Sequence, residues 1–99
     1  MKVIFTEEAR LDLLAIGDYI AEDNPRRAWT FLNELRARCV SIGDFPEASP
    51  LLSRHEGTSI RRAVHGNYAI FYVVGLETVN VLRVLNSSIN YERFLFEED

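Results

Sequence analysis

The second half of this chain does most to limit what it can fold into. Ile60-Arg61-Arg62-Ala63-Val64-His65-Gly66-Asn67-Tyr68-Ala69-Ile70-Phe71-Tyr72-Val73-Val74 is followed, after Gly75-Leu76-Glu77-Thr78, by Val79-Asn80-Val81-Leu82-Arg83-Val84-Leu85-Asn86. Valine, isoleucine and aromatic residues suit a pleated, half-buried surface. A strand is expected over roughly 58–64, a turn at His65-Gly66-Asn67, and strands over 68–74 and 78–86. The run 68–74 is apolar on both faces apart from its tyrosine hydroxyls, so it reads as a central strand covered on both sides.

The first half carries helical periods. Lys2-Val3-Ile4-Phe5 reads as a short strand. Thr6 is a good N-cap, because its hydroxyl can accept from a free helical N–H. Glu7 and Glu8 then fall in the first turn, where the helix dipole favours negative charge. Ala9, Leu13, Ile16 and Ile20 form one apolar stripe, with Leu11 and Leu14 off it. Asp23-Asn24-Pro25 ends that helix, since residues before proline avoid the α region. Asn24 can cap a second helix with Pro25 at its first position. Ala28, Phe31, Leu32, Leu35, Cys39 and Ile42 form its inner face, and Trp29, Arg36 and Val40 share a flank. The tight link makes the two helices an antiparallel hairpin. Gly43 to Pro50 is rich in breakers and reads as a loop. Asn90 to Phe96 fits either a short helix or an extended arm.

The order β-α-α-β-β-β gives an α+β fold: an N-terminal strand, then a helical hairpin packed on one face of a mainly antiparallel sheet. Ninety-nine residues suit one domain, 1–99. The predicted core is Leu13, Ile16, Ile20, Phe31, Leu35, Cys39, Ile42, Ile70 and Tyr72.

The net charge of −4 disfavours a nonspecific polyanion binder, and sequence-specific nucleic-acid binding is not expected. The charge is uneven: residues 54–93 hold five Arg against three Glu, whereas the tail is Glu97-Glu98-Asp99. No apolar run approaches the roughly 20 residues that span a bilayer. The N-terminus has no signal-peptide h-region. A single cysteine makes no internal disulfide, and a reducing cytoplasm is the expected setting.

Few residues invite catalysis. His55 and His65 have no companions at ligand spacing, so no metal or cofactor is expected, and His65 reads as a surface residue beside a turn. Cys39 lies on an inner stripe without a base. Tyr68 and Tyr72 share a sheet face and read as core residues. Arg61 and Arg62 are adjacent on a strand and point to opposite faces. One should approach the helices, where Asp12 or Asp18 could pair with it, and the other should be exposed. Arg83 sits in an apolar strand and must either pair or reach the sheet edge.

Four segments, in order, resemble the ParE/RelE superfamily of bacterial toxins and are closest to its ParE branch. They are Ala9, Asp12, Leu13, Ile16, Tyr19, Ile20 and Ala21 before Asn24-Pro25; Ala28, Phe31, Leu35 and Pro46; Ile60-Arg61 with Tyr68, Ile70 and Tyr72; and Val81-Leu82-Arg83-Val84-Leu85. The resemblance implies the toxin of a type II toxin–antitoxin module, of the plasmid-stabilisation kind. It would be neutralised by a cognate antitoxin and would inhibit DNA gyrase by binding, with no catalytic residues. In RelE-type mRNA endonucleases, basic residues line the open face of the sheet and a general base lies near the C-terminus. Here the central-strand position is Ala69, and the positions after the last strand are Asn86-Ser87-Ser88. Tyr91 stands near the end, with Arg93 as its basic companion. Many ParE relatives carry His where Asn86 stands.

The residues expected to contact the target are Arg61, Arg62, Arg83 and Arg93. Those expected to bind the antitoxin are Leu11, Leu14, Trp29 and Val40, with a toxin homodimer through the same patch or a toxin–antitoxin hetero-oligomer as alternatives. The competing functional readings are a RelE-type ribosome-dependent endonuclease and a decayed toxin that retains only antitoxin binding.

Overall fold

The fold is described from a computed structural model, over residues 1–52 and 57–96. Strand β1 (Lys2–Phe5) leads into helix α1 (Glu7–Ala21), and helix α2 (Pro25–Asp44) follows. Strands β2 (Arg61–His65), β3 (Tyr68–Val74) and β4 (Thr78–Asn86) come next, with a short helix α3 (Glu92–Leu95) after them. Both long helices start on the expected caps. The Thr6 Oγ1 accepts from the Ala9 N–H at 3.0 Å, and the Asn24 Oδ1 accepts from the Arg27 N–H at 3.0 Å.

The sheet order is β1-β4-β3-β2, with β1 parallel to β4 and the other pairs antiparallel. The β2–β3 turn is Gly66-Asn67, with Gly66 at φ 59° and Asn67 outside the left-handed region. A positive φ at the first central position alone is the type II′ hairpin pattern, which glycine adopts without strain.

One irregularity shapes the sheet. Phe71 pairs with Arg83 and Tyr72 with Val81, so Leu82 is an extra residue in β4. Such a bulge shifts the alternation of faces by one. Val79, Val81 and Val84 therefore all point to the helices, while Leu82 and Leu85 serve the other face.

The helical hairpin packs on one face over a core that includes Ala9, Ile16, Phe31, Leu35, Cys39, Ile42, Ile70, Tyr72 and Val81. Leu13, Ile20 and Leu32 are only partly buried against it, because they lie on the shoulder of each stripe rather than at its centre. The Tyr72 hydroxyl, enclosed in this core, donates to the Pro46 carbonyl at 2.7 Å. Tyr68 is partly buried against the Phe31 ring.

The opposite face has its own smaller core of Leu52, Ile60, Ala69, Phe71 and Leu85. Tyr91, Leu95 and Phe96 close over it from the C-terminal segment, which resolves as a helical turn. Strand β3 is thus buried on both sides, as its composition predicts.

Two boundaries move. Strand β2 starts at Arg61, not near Thr58, since the Ile60 carbonyl already accepts from Leu52 and the Arg62 N–H donates to Pro50. Gly43 and Asp44 belong to α2 rather than to a loop. The Met1 amine donates to the Gly43 carbonyl at 2.7 Å, and a side chain on Gly43 would meet the Met1 carbonyl and Val3. That docking extends the helix past a residue which on its own disfavours it. No described helix is long and apolar enough to cross a membrane.

Leu35 is fully buried between the hairpin and the sheet. Leu35→Ala is expected to cost roughly 2–5 kcal/mol in urea unfolding. Burial pushes the Cys39 thiol up to about 11, so it should stay unreactive toward a disulfide reagent at pH 8 until the protein unfolds. Rapid labelling of the folded protein would contradict the packing of α2.

Candidate functional site

Asp12 organises the surface where α1 meets β4. Strand β1 covers β4 only as far as Val81, and α1 lies against the edge beyond. The Thr6 N–H donates to the Val81 carbonyl at 3.0 Å, and the Thr6 hydroxyl donates to the Leu82 carbonyl at 2.8 Å. The Asp12 Oδ2 accepts from the Val84 N–H at 2.9 Å. The same carboxylate holds Arg83 in a two-pronged pair, Nε to Oδ2 and Nη2 to Oδ1, both at 2.8 Å. The Arg83 guanidinium also lies 4.9 Å from the centroid of the Phe94 ring. The Asp12 hydrogen bond raises the pKa of Arg83 further above its ordinary value. Of the two alternatives open for Arg83, it pairs.

The other arginines are dispersed. Arg61 lies on the helix-facing side of β2 but meets no helix carboxylate. Its Nη1 donates to the carbonyls of Ser49 at 2.7 Å and Glu47 at 3.4 Å. The chain after α2 passes over it, and that path is not visible in a local reading. Arg62 is on the opposite face, partly buried, 5.9 Å from the Phe71 ring centroid. Neither arginine of the pair is freely exposed. Arg93 is exposed on α3. The four expected target residues therefore form no single basic patch, and two of them are already held by hydrogen bonds.

The expected apolar anchors do face water. Leu11, Leu14, Trp29 and Val40 are all more than half exposed, Trp29 at 70%. Leu14 and Trp29 flank a groove of about 560 Å³, with Leu13, Leu32 and Phe5 in its lining and Arg10 and Arg36 beside them. α1 and α2 approach closely beneath it: a Cβ on Gly17 would lie 2.8 Å from the Leu32 Cδ1.

His65 departs from the expected surface role. It is half-buried, its ring tilted against that of Phe31 with centroids 5.6 Å apart, and with Nε2 3.7 Å from a Glu34 carboxylate oxygen. Glu34 also takes Arg27 at 2.9 Å, and that hydrogen bond holds its carboxyl below the usual range. His55 lies outside the described residues. Among the described residues, no three His, Cys, Asp or Glu side chains are grouped so as to hold a metal ion. A further contact, Arg38 Nε donating to the Val64 carbonyl at 3.3 Å on the outer edge of β2, had no sequence signal.

The model of the family described as "ParE toxin of type II toxin-antitoxin system, parDE" matches residues 3–91. The chain belongs to the ParE toxin family. No curated protein matches it significantly. Solved structures give the same fold. A chain from the chromosomal ParDE toxin–antitoxin system of P. aeruginosa aligns with TM-score 0.70 at 19% identity, over 87% of this chain and 95% of that one. A chain of the RelBE2 toxin–antitoxin complex of Mycobacterium tuberculosis aligns with TM-score 0.62 at 25% identity, over 86% of this chain and 95% of that one. In this ParE-family chain, Asp12 lies in the opening motif and Arg83 in the closing one, and the fold brings the two together.

Asp12→Ala should cost about 3 kcal/mol, because it strands a partly buried guanidinium and an edge N–H. Asp12→Asn, which keeps an acceptor for Val84, should cost less. Chemical denaturation distinguishes the two, and equal stability of Asp12→Ala and wild type would show that the edge does not depend on this carboxylate.

Proposed function

We propose that this ParE-family toxin arrests DNA gyrase by binding, without chemistry of its own, and is held inactive in the cytoplasm by a cognate antitoxin. The observation that carries the reading is the closed second face of the sheet. Where RNA-cutting relatives need an open basic surface, Ala69 and Phe71 are each 1% exposed under Leu52, Tyr91 and Leu95. RNA cleavage requires a base for the 2′-OH and positive charge for the phosphate and leaving oxygen. Arg83 is held by Asp12 and Arg61 by carbonyls, so neither offers a free guanidinium there. Binding tolerates such a surface.

The antitoxin reading rests on the groove between α1 and α2. A flexible antitoxin segment that folds as it binds needs apolar anchor points, and the exposed Leu14 and Trp29 supply them.

The deciding experiment is gyrase supercoiling with the purified toxin. Inhibition with accumulation of cleaved DNA is expected. Intact supercoiling, with mRNA cut in the ribosomal A site, would replace this reading with the endonuclease one. Harmless expression without antitoxin would point to a decayed toxin. Leu14→Ala with Trp29→Ala should weaken antitoxin binding by a few kcal/mol, the usual scale for losing anchors, while the melting temperature holds. Unchanged affinity would place the antitoxin elsewhere.

A further inference from the structure

On the sheet face away from the helical hairpin, a recess of about 380 Å³ is lined by Pro50, Leu51, Leu52, Arg62, Val64 and Tyr91. Among the described residues that line it, Arg62 is the one cation. The Nε of that guanidinium is buried and has no hydrogen-bond partner among the described residues. A buried donor left without an acceptor is costly, and more so on a charged group. The same molecule shows what an arginine does when an acceptor is present: Arg83 sets Nε and Nη2 against the two oxygens of Asp12. Arg62 has the same fork, backed by the Phe71 ring at 5.9 Å, and among the described residues no carboxylate lies at its Nε.

We propose that this recess binds a partner peptide through one carboxylate, carried beside an apolar residue. The carboxylate meets the Nε edge of Arg62 in the two-pronged geometry that guanidinium favours. The apolar neighbour rests on Leu51, Leu52 and Val64, of which Leu51 and Val64 are about half exposed at 46% and 51%. A polyanion fits poorly. Nucleic-acid affinity comes from several phosphate contacts, whereas the described lining of this recess holds one arginine and the chain carries −4 overall. Because Nε is covered in the free protein, an arriving carboxylate must displace its cover, and occupancy registers at that N–H itself. The recess lies apart from the α1–α2 groove, and its occupancy does not depend on gyrase.

The test is NMR titration of the ¹⁵N-labelled chain, following the Arg62 Nε–Hε signal. N-acetyl-leucine supplies a carboxylate on an apolar body, N-acetyl-leucinamide removes the charge, and inorganic phosphate removes the apolar body. A saturable shift with N-acetyl-leucine alone is expected. Backbone signals of Leu51, Leu52 and Val64 should move with it. These shifts should vanish in Arg62→Gln and weaken several-fold in Arg62→Lys, which keeps the charge and stem but loses the fork, so the pair remains informative if the glutamine variant folds poorly. No saturable shift, an equal shift with the leucinamide, or an equal or stronger response to phosphate would overturn the proposal.

Discussion

The contact between Asp12 and the upper half of β4 is the one on which the rest of the molecule leans. A four-residue β1 cannot cover a nine-residue β4, and an uncovered strand edge leaves N–H and C=O groups in need of partners. α1 supplies them. Thr6 and Asp12 stand in for the missing part of β1, and the Arg83 guanidinium lets the carboxylate lie there without an unpaired charge. The first helix is thereby fixed to the sheet by directional contacts as well as by its apolar stripe.

The bulge at Leu82 is the second half of that arrangement. It turns Val81 and Val84 to the same face and frees Leu82 and Leu85 for the other. Both sides of β3 are then packed: by the helices on one side, and by Leu52, Tyr91 and Leu95 on the other. A toxin built this way has little sheet surface left to present. Among its outward features are the groove beside Trp29 and the recess beside Arg62.

Much of this was legible from residues whose meaning is local. Thr6 and Asn24-Pro25 mark the starts of the helices, and the unbroken apolar run 68–74 marks the doubly covered strand. Exposure of Leu14 and Trp29 follows from their places off the inner stripes. What could not be read depends on distant partners. Arg61 is met by carbonyls of the chain after α2. Gly43 stays helical because Met1 docks on it. Alternation along β4 misplaces every residue past the bulge, since nothing in Val81-Leu82-Arg83-Val84 announces an extra residue. That Arg83 needs a partner was foreseeable; that the partner is Asp12, 71 positions earlier, was not.

The parallel pairing of β1 with β4 has a consequence for the order of assembly. Lys2 lies opposite Thr78, and Phe5 opposite Val81. The earliest residues to leave the ribosome therefore wait for nearly the last before they find their strand partner. Contacts of such long sequence separation form late, because loop-closure entropy is lost before they return anything. The contacts within the helical hairpin are local and available early in synthesis, but the sheet cannot be finished until β4 has emerged. A nascent chain of this topology therefore lacks its finished sheet for most of its time on the ribosome.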